Sequence, residues 1–144
     1  MSQPCMLVVD DETGVRESIR LIFGKDFRLC EAKSSEEALR RIRDEQPEIV
    51  LLDILMPGGN GLDTLKQIKA VHPAKPVVIV ITGSPDLAVA EIAYAMGAEG
   101  VPLKPFALST LVDAVSRLVM PLEDRLEVGQ GRAMVRLERP LVLA

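Results

Sequence analysis

Short apolar runs alternate with amphipathic stretches from Met6 to about Met120. The first run, Met6-Leu7-Val8-Val9, stops at Asp10-Asp11-Glu12, and Val15, Ile19, Ile22 and Phe23 then recur at helical spacing up to Gly24. Residues 27–31 read as a second strand. Ser34-Ser35-Glu36-Glu37 reads as a capping box in which Ser34 and Glu37 satisfy each other's backbone donors. The helix it opens buries Ala38, Leu39 and Ile42 and stops before Pro47. Ile49-Val50-Leu51-Leu52 is apolar without a break, as a strand covered on both faces must be, and it ends in Asp53. Turn chemistry in Met56-Pro57-Gly58-Gly59-Asn60-Gly61 leads to a helix carrying Leu62, Leu65 and Ile68 that ends near His72-Pro73. Val77–Ile81 is a fourth strand, ending at Thr82. Ser84 and Pro85 then predict an N-cap and first helical position for a helix that presents Ala88, Ile92 and Ala95 and terminates at Gly97. A short strand over 100–103 leads to Lys104-Pro105, and Leu108, Leu111, Val112, Val115 and Leu118 mark a last helix.

Five strand–helix repeats predict an α/β fold: a doubly wound, five-stranded parallel sheet with five helices on its two faces. In such sheets ligands bind beyond the carboxyl ends of the strands, near the point where the strand order reverses. The residues at those ends are Asp10 and Asp11, Asp53, Thr82 and Lys104. Close carboxylates repel unless a cation sits among them, and oxygen-only ligation with room for waters suits Mg²⁺. A metal there would neutralise charge developing on a phosphoryl group, Lys104 would hold a second oxygen, and Thr82 would donate to a third. Asp53, at the end of a buried strand, is the best-placed nucleophile for an acyl phosphate. Each residue alone has an ordinary reading as a cap, turn or exposed loop, and the expectation rests on their convergence.

Composition narrows this further. A chain of 144 residues holds one ordinary domain and a short appendage. With one Tyr, three Phe and no Trp, the core must be filled by Ala, Val, Leu and Ile. The net charge of −4 leads to the expectation of no nucleic-acid surface, which would need clustered Lys and Arg. No apolar run is long enough to span a bilayer and no signal peptide is evident, so a cytoplasmic location and no membrane contact are expected. Cys5 and Cys30 form no metal-ligand motif and are expected as reduced, partly buried thiols. The absence of GxGxxG after the first strand excludes a dinucleotide-binding turn.

With these residues in view, the sequence resembles the receiver domain of two-component response regulators, which have the flavodoxin-like fold. The resemblance is carried by Leu7-Val8-Val9-Asp10-Asp11-Glu12, Leu51-Leu52-Asp53-Ile54-Leu55-Met56-Pro57-Gly58-Gly59-Asn60-Gly61, Ile81-Thr82-Gly83, Leu103-Lys104-Pro105-Phe106 and Gly97-Ala98. It implies that Asp53 takes a phosphoryl group from a histidine kinase. Mg²⁺ would be held by Asp10, Asp11, Asp53 and the backbone carbonyl of Leu55, with Lys104 and Thr82 contacting the phosphoryl group. Catalysis would be confined to self-phosphorylation and dephosphorylation of Asp53. The implied partners are a sensor histidine kinase or phosphotransfer protein, and a second copy of the chain through the face of the fourth helix, fifth strand and fifth helix or through the tail. The competing readings are a haloacid-dehalogenase-type phosphatase, which wants an acid where Leu55 stands, and a non-switching scaffold of the same fold. One departure from the family is Val101, where many receivers have an aromatic ring coupled to the threonine; Tyr94 is read as packing.

Residues 1–120 are expected to form the receiver and 121–144 an extension. Pro121 ends or kinks the last helix, 122–128 could extend it, and Gly129-Gln130-Gly131 signals a turn. Met134-Val135-Arg136-Leu137 and Leu141-Val142-Leu143 read as strand or partner-binding segments.

Overall fold

The computed structural model of the chain describes residues 3–56, 60–72, 75–81, 87–102, 108–119 and 141–143. The elements follow the expected alternation: β1 (Cys5–Val9), α1 (Thr13–Phe23), β2 (Arg28–Ala32), α2 (Ser35–Glu45), β3 (Ile49–Asp53), α3 (Gly61–Val71), β4 (Val77–Ile81), α4 (Leu87–Ala95), β5 (Gly100–Pro102) and α5 (Leu108–Val119). The expected five parallel strands and five helices are all present. A sixth strand, β6 (Leu141–Leu143), lengthens the sheet, pairing parallel to β5 with Val142 opposite Val101. It covers what would otherwise be an unpaired edge. The strand order is β2-β1-β3-β4-β5-β6, so the chain reverses direction across the sheet between β1 and β3. The expectations placed on Pro121, 122–128, 129–131 and 134–137 fall outside the described residues.

Alternation along the strands divides the core. Leu7, Val9, Val50, Leu52, Val78 and Val80 face α2, α3 and α4, whereas Met6, Val8, Leu51, Ile79 and Ile81 face α1 and α5. Every residue of β1 and β3 is buried, which is why residues 5–9 and 49–52 read as unbroken apolar runs.

The cap predicted at Ser34 is present with one change, whereas the one predicted at Ser84 and Pro85 lies outside the described residues. Ser34 Oγ accepts from the Glu37 N–H at 3.2 Å, but the Glu37 carboxylate takes the N–H of Lys33 at 3.1 Å instead of that of Ser34. Asn60, not singled out as a cap, accepts from the Leu62 N–H at 3.0 Å and opens α3. The face assigned to α4 is corrected: Ala90 and Ala93 are buried, and Ala88, Ile92 and Ala95 are exposed. This helix is apolar nearly all round, so its periodicity carries no direction.

Cys5 and Cys30 are free and buried, with sulfurs 3.6 Å apart on adjacent strands. Burial, and next the hydrogen bond with Cys5, pushes the Cys30 thiol up to about 12, so Cys30 stays protonated and inert at neutral pH.

Candidate functional site: the carboxyl edge of the sheet

Val9 lies opposite Leu52 in the β1–β3 register, so Asp10 and Asp53 follow one another's neighbours at the ends of adjacent strands. Both are buried, at 1% and 5% exposure, among residue types that almost never are. Asp53 Oδ1 accepts from the Leu55 N–H at 2.9 Å, a tight turn that directs the chain away from the carboxylate. Leu55 itself is exposed. Asp10 Oδ1 accepts from the Glu12 N–H at 2.8 Å, which folds the β1–α1 loop back over the strand end.

The carboxylates of Asp10, Asp11 and Glu12 lie within 4.8 Å of one another, with Asp10 buried and the other two exposed. Glu12 therefore joins the expected pair, while Asp53 stands outside this group. The donors are hard carboxylate oxygens, and their clustered negative charge fits a small divalent cation of the Mg²⁺ type. Thr82 and Lys104 lie outside the described residues.

Sequence reasoning missed a basic component. Arg16 lies on the buried face of α1 with Ile19 and Phe23. Its Nη1 donates to the Asp10 carbonyl at 2.7 Å, Nε to Glu31 Oε1 at 2.9 Å and Nη2 to Thr13 Oγ1 at 3.2 Å. Glu31, near the end of β2, is also paired with Arg20. The available signal was an arginine at a core position of an amphipathic helix.

Burial pushes the Glu31 carboxyl up, but hydrogen bonds from Arg20 and Arg16 outweigh it and hold the group below the usual glutamate value. The unfolded chain therefore takes up this proton first as pH falls. Glu31 contributes stability above its ordinary range near pH 4.3 and loses it as pH drops through the lower folded value. In denaturant unfolding at a series of pH values, the advantage of the native chain over Glu31→Gln should be full at neutrality and shrink on acidification. An advantage that stays constant to the acid limit of folding would exclude this origin.

On the far side of the sheet, Tyr94 does more than pack. Its hydroxyl accepts from the Val101 N–H at 3.2 Å, tying α4 to β5, and burial pushes the phenol up to about 12. Val101 is fully buried against Ala90 and Ala93 on that face.

Residues 6–116 match the family described as the response regulator receiver domain. The chain belongs to that family. The receiver is 34% identical over 126 residues to the DNA-binding transcriptional regulator NtrC of Escherichia coli K12, covering 87% of this chain and 27% of that protein. It thus spans about a quarter of the length of its NtrC relatives. It is 31% identical over 120 residues to sporulation initiation phosphotransferase F of Bacillus subtilis, covering 83% of this chain and 95% of that protein. The crystal structure of a response regulator receiver protein from Pseudomonas putida superposes with a TM-score of 0.74 at 28% identity, covering 81% of this chain and 98% of that one.

Family membership favours the receiver over the phosphatase. It also corrects the partner expectation, in which a kinase and a second copy were set beside an exclusion of nucleic acid. Relatives at this identity are named as DNA-binding regulators, so that exclusion does not stand. The error came from scale: a net charge of −4 describes 144 residues and says nothing about the three quarters of NtrC that the receiver does not span. Among the described residues, no helix is long and apolar enough to cross a membrane.

Proposed function

We propose that this receiver is a phosphorylation-dependent switch in which Asp53 accepts a phosphoryl group from the phosphohistidine of a sensor histidine kinase in the cytoplasm. The observation that supports this best is the burial of Asp53 at the end of β3, adjacent in register to β1, which leads directly into Asp10, Asp11 and Glu12. One Asp53 carboxylate oxygen attacks phosphorus, the phosphorus–nitrogen bond breaks, and the imidazole leaves with the electron pair and takes up a proton. Asp10, Asp11, Asp53 and the Leu55 carbonyl would hold Mg²⁺, which when bound neutralises charge on the phosphoryl oxygens. The Leu55 N–H holds one Asp53 oxygen in place, leaving the other to react. Sequence position alone supports the parts given to Lys104, as the cation on the phosphoryl group, and to Thr82, as the hydroxyl that follows it. The signal would then reach the face of α4, β5 and α5, where the Tyr94–Val101 bond joins two of the three elements.

Incubation with acetyl phosphate and Mg²⁺ should add a single phosphoryl mass that hydroxylamine removes. Borohydride reduction followed by peptide mapping should convert Asp53 to homoserine. Label at another residue, or no label at any Mg²⁺ concentration, would overturn the assignment.

A further inference from the structure

The guanidinium of Arg16 is almost fully buried, its side chain 8% exposed, on the same face of α1 as the buried Ile19 and Phe23. Burying a charge costs several kcal/mol before its partners repay it, so stability is a weak reason for its presence. Its contacts give a better one. Three nitrogens are committed to three different segments: the Asp10 carbonyl, the Glu31 carboxylate on β2 and the Thr13 hydroxyl at the start of α1. The Asp10 N–H is meanwhile held by the Ala32 carbonyl at 3.1 Å. Both backbone polar groups of Asp10 are therefore fixed from neighbouring elements. Because the peptide unit is planar, fixing the Asp10 carbonyl also fixes the direction in which the chain leaves toward Asp11. The fork is rigid, and lysine cannot reproduce it.

Resting on the receiver reading above, we infer that Arg16 is a positioning residue for the metal-bearing loop. It clamps the Asp10–Asp11 peptide so that the two carboxylates are presented together, and Glu31 anchors the clamp to β2. The arginine's three hydrogen bonds all go to groups of the protein itself. It acts through Asp10, in the manner of outer-shell groups whose loss lowers metal affinity by tenfold or more.

The test measures Mg²⁺ affinity of the unphosphorylated protein by calorimetry or amide chemical shifts, for the native chain, Arg16→Lys and Arg16→Met. Thermal melting without Mg²⁺ and acetyl phosphate labelling are run alongside. Both variants should bind Mg²⁺ about tenfold more weakly. Labelling of Asp53 should be impaired at limiting Mg²⁺ and restored at saturation. Unchanged affinity in Arg16→Lys would overturn the inference in favour of a charge effect, as would tighter binding in Arg16→Met, where a repelling cation has been removed. A lower melting temperature with native Mg²⁺ affinity would reduce Arg16 to a structural role. If Arg16→Met does not fold, Arg16→Lys, which keeps charge and stem, decides alone. Absence of label in a native chain that binds Mg²⁺ would overturn the switch and leave the clamp standing, and absence of Mg²⁺ binding in the native chain would overturn the clamp.

Discussion

Asp53→Asn will take up no phosphoryl group from acetyl phosphate at any Mg²⁺ concentration, while folding as the native chain does. The asparagine is isosteric, and its side-chain oxygen can still accept from the Leu55 N–H, so the turn after β3 is kept. What is lost is the anionic oxygen that attacks phosphorus in the proposed switch, and an amide is not a substitute nucleophile. The substitution also removes one negative charge from a buried strand end beside Asp10. Unfolding free energy without Mg²⁺ should therefore be unchanged or higher by up to about 1 kcal/mol. The paired readout separates chemistry from folding: mass spectrometry reports the label and denaturant unfolding the stability. Full labelling of this variant would remove Asp53 from the mechanism. Loss of label together with loss of the fold would show the carboxylate to be structural.

The residues of this prediction were legible in the sequence for a physical reason. A strand buried on both faces must be apolar throughout, so a carboxylate at its last position stands out, and Asp10 and Asp53 mark the strand ends on which the register later agrees. What was hidden is what depends on direction around a helix. The buried face of α4 is not legible because Leu87, Ala88, Val89, Ile92 and Ala95 surround the two alanines that pack inward. Arg16 escapes notice because a basic residue in an amphipathic helix reads as solvated, although it sits at the spacing of Ile19 and Phe23. Its partner Glu31 is fifteen residues away on β2, and only the fold joins them. Tyr94 reads as packing because a hydroxyl bond to a strand backbone leaves no trace in spacing. Charge balance failed differently. It describes the chain counted, whereas partners belong to whole proteins.

Gly61→Ala should lower the unfolding free energy by about 3 kcal/mol and slow phosphoryl uptake by Asp53. Gly61 is the first residue of α3 and is buried against Ile54, which directly follows Asp53. A Cβ at this position would stand 2.2 Å from Ile54 Cα and 2.7 Å from Ile54 Cβ. The obstacle is backbone, so no rotamer change relieves it. Either α3 moves off the sheet or the chain at Ile54 shifts, and the planar peptide bond passes that shift to Asp53. The Gly61 N–H that donates to the Ile54 carbonyl at 3.4 Å would be displaced with it. Gly14→Ala is the matched control. It adds the same methyl within α1, meets nothing within 4 Å, and should instead stabilise the protein by about 0.5–1 kcal/mol by restricting the unfolded chain. Denaturant midpoints of opposite sign for the two variants, with slower acetyl phosphate labelling only in Gly61→Ala, are the expected result. Equal midpoints for Gly61→Ala and the native chain would mean that the close approach of α3 to the end of β3 does not hold Asp53 in place.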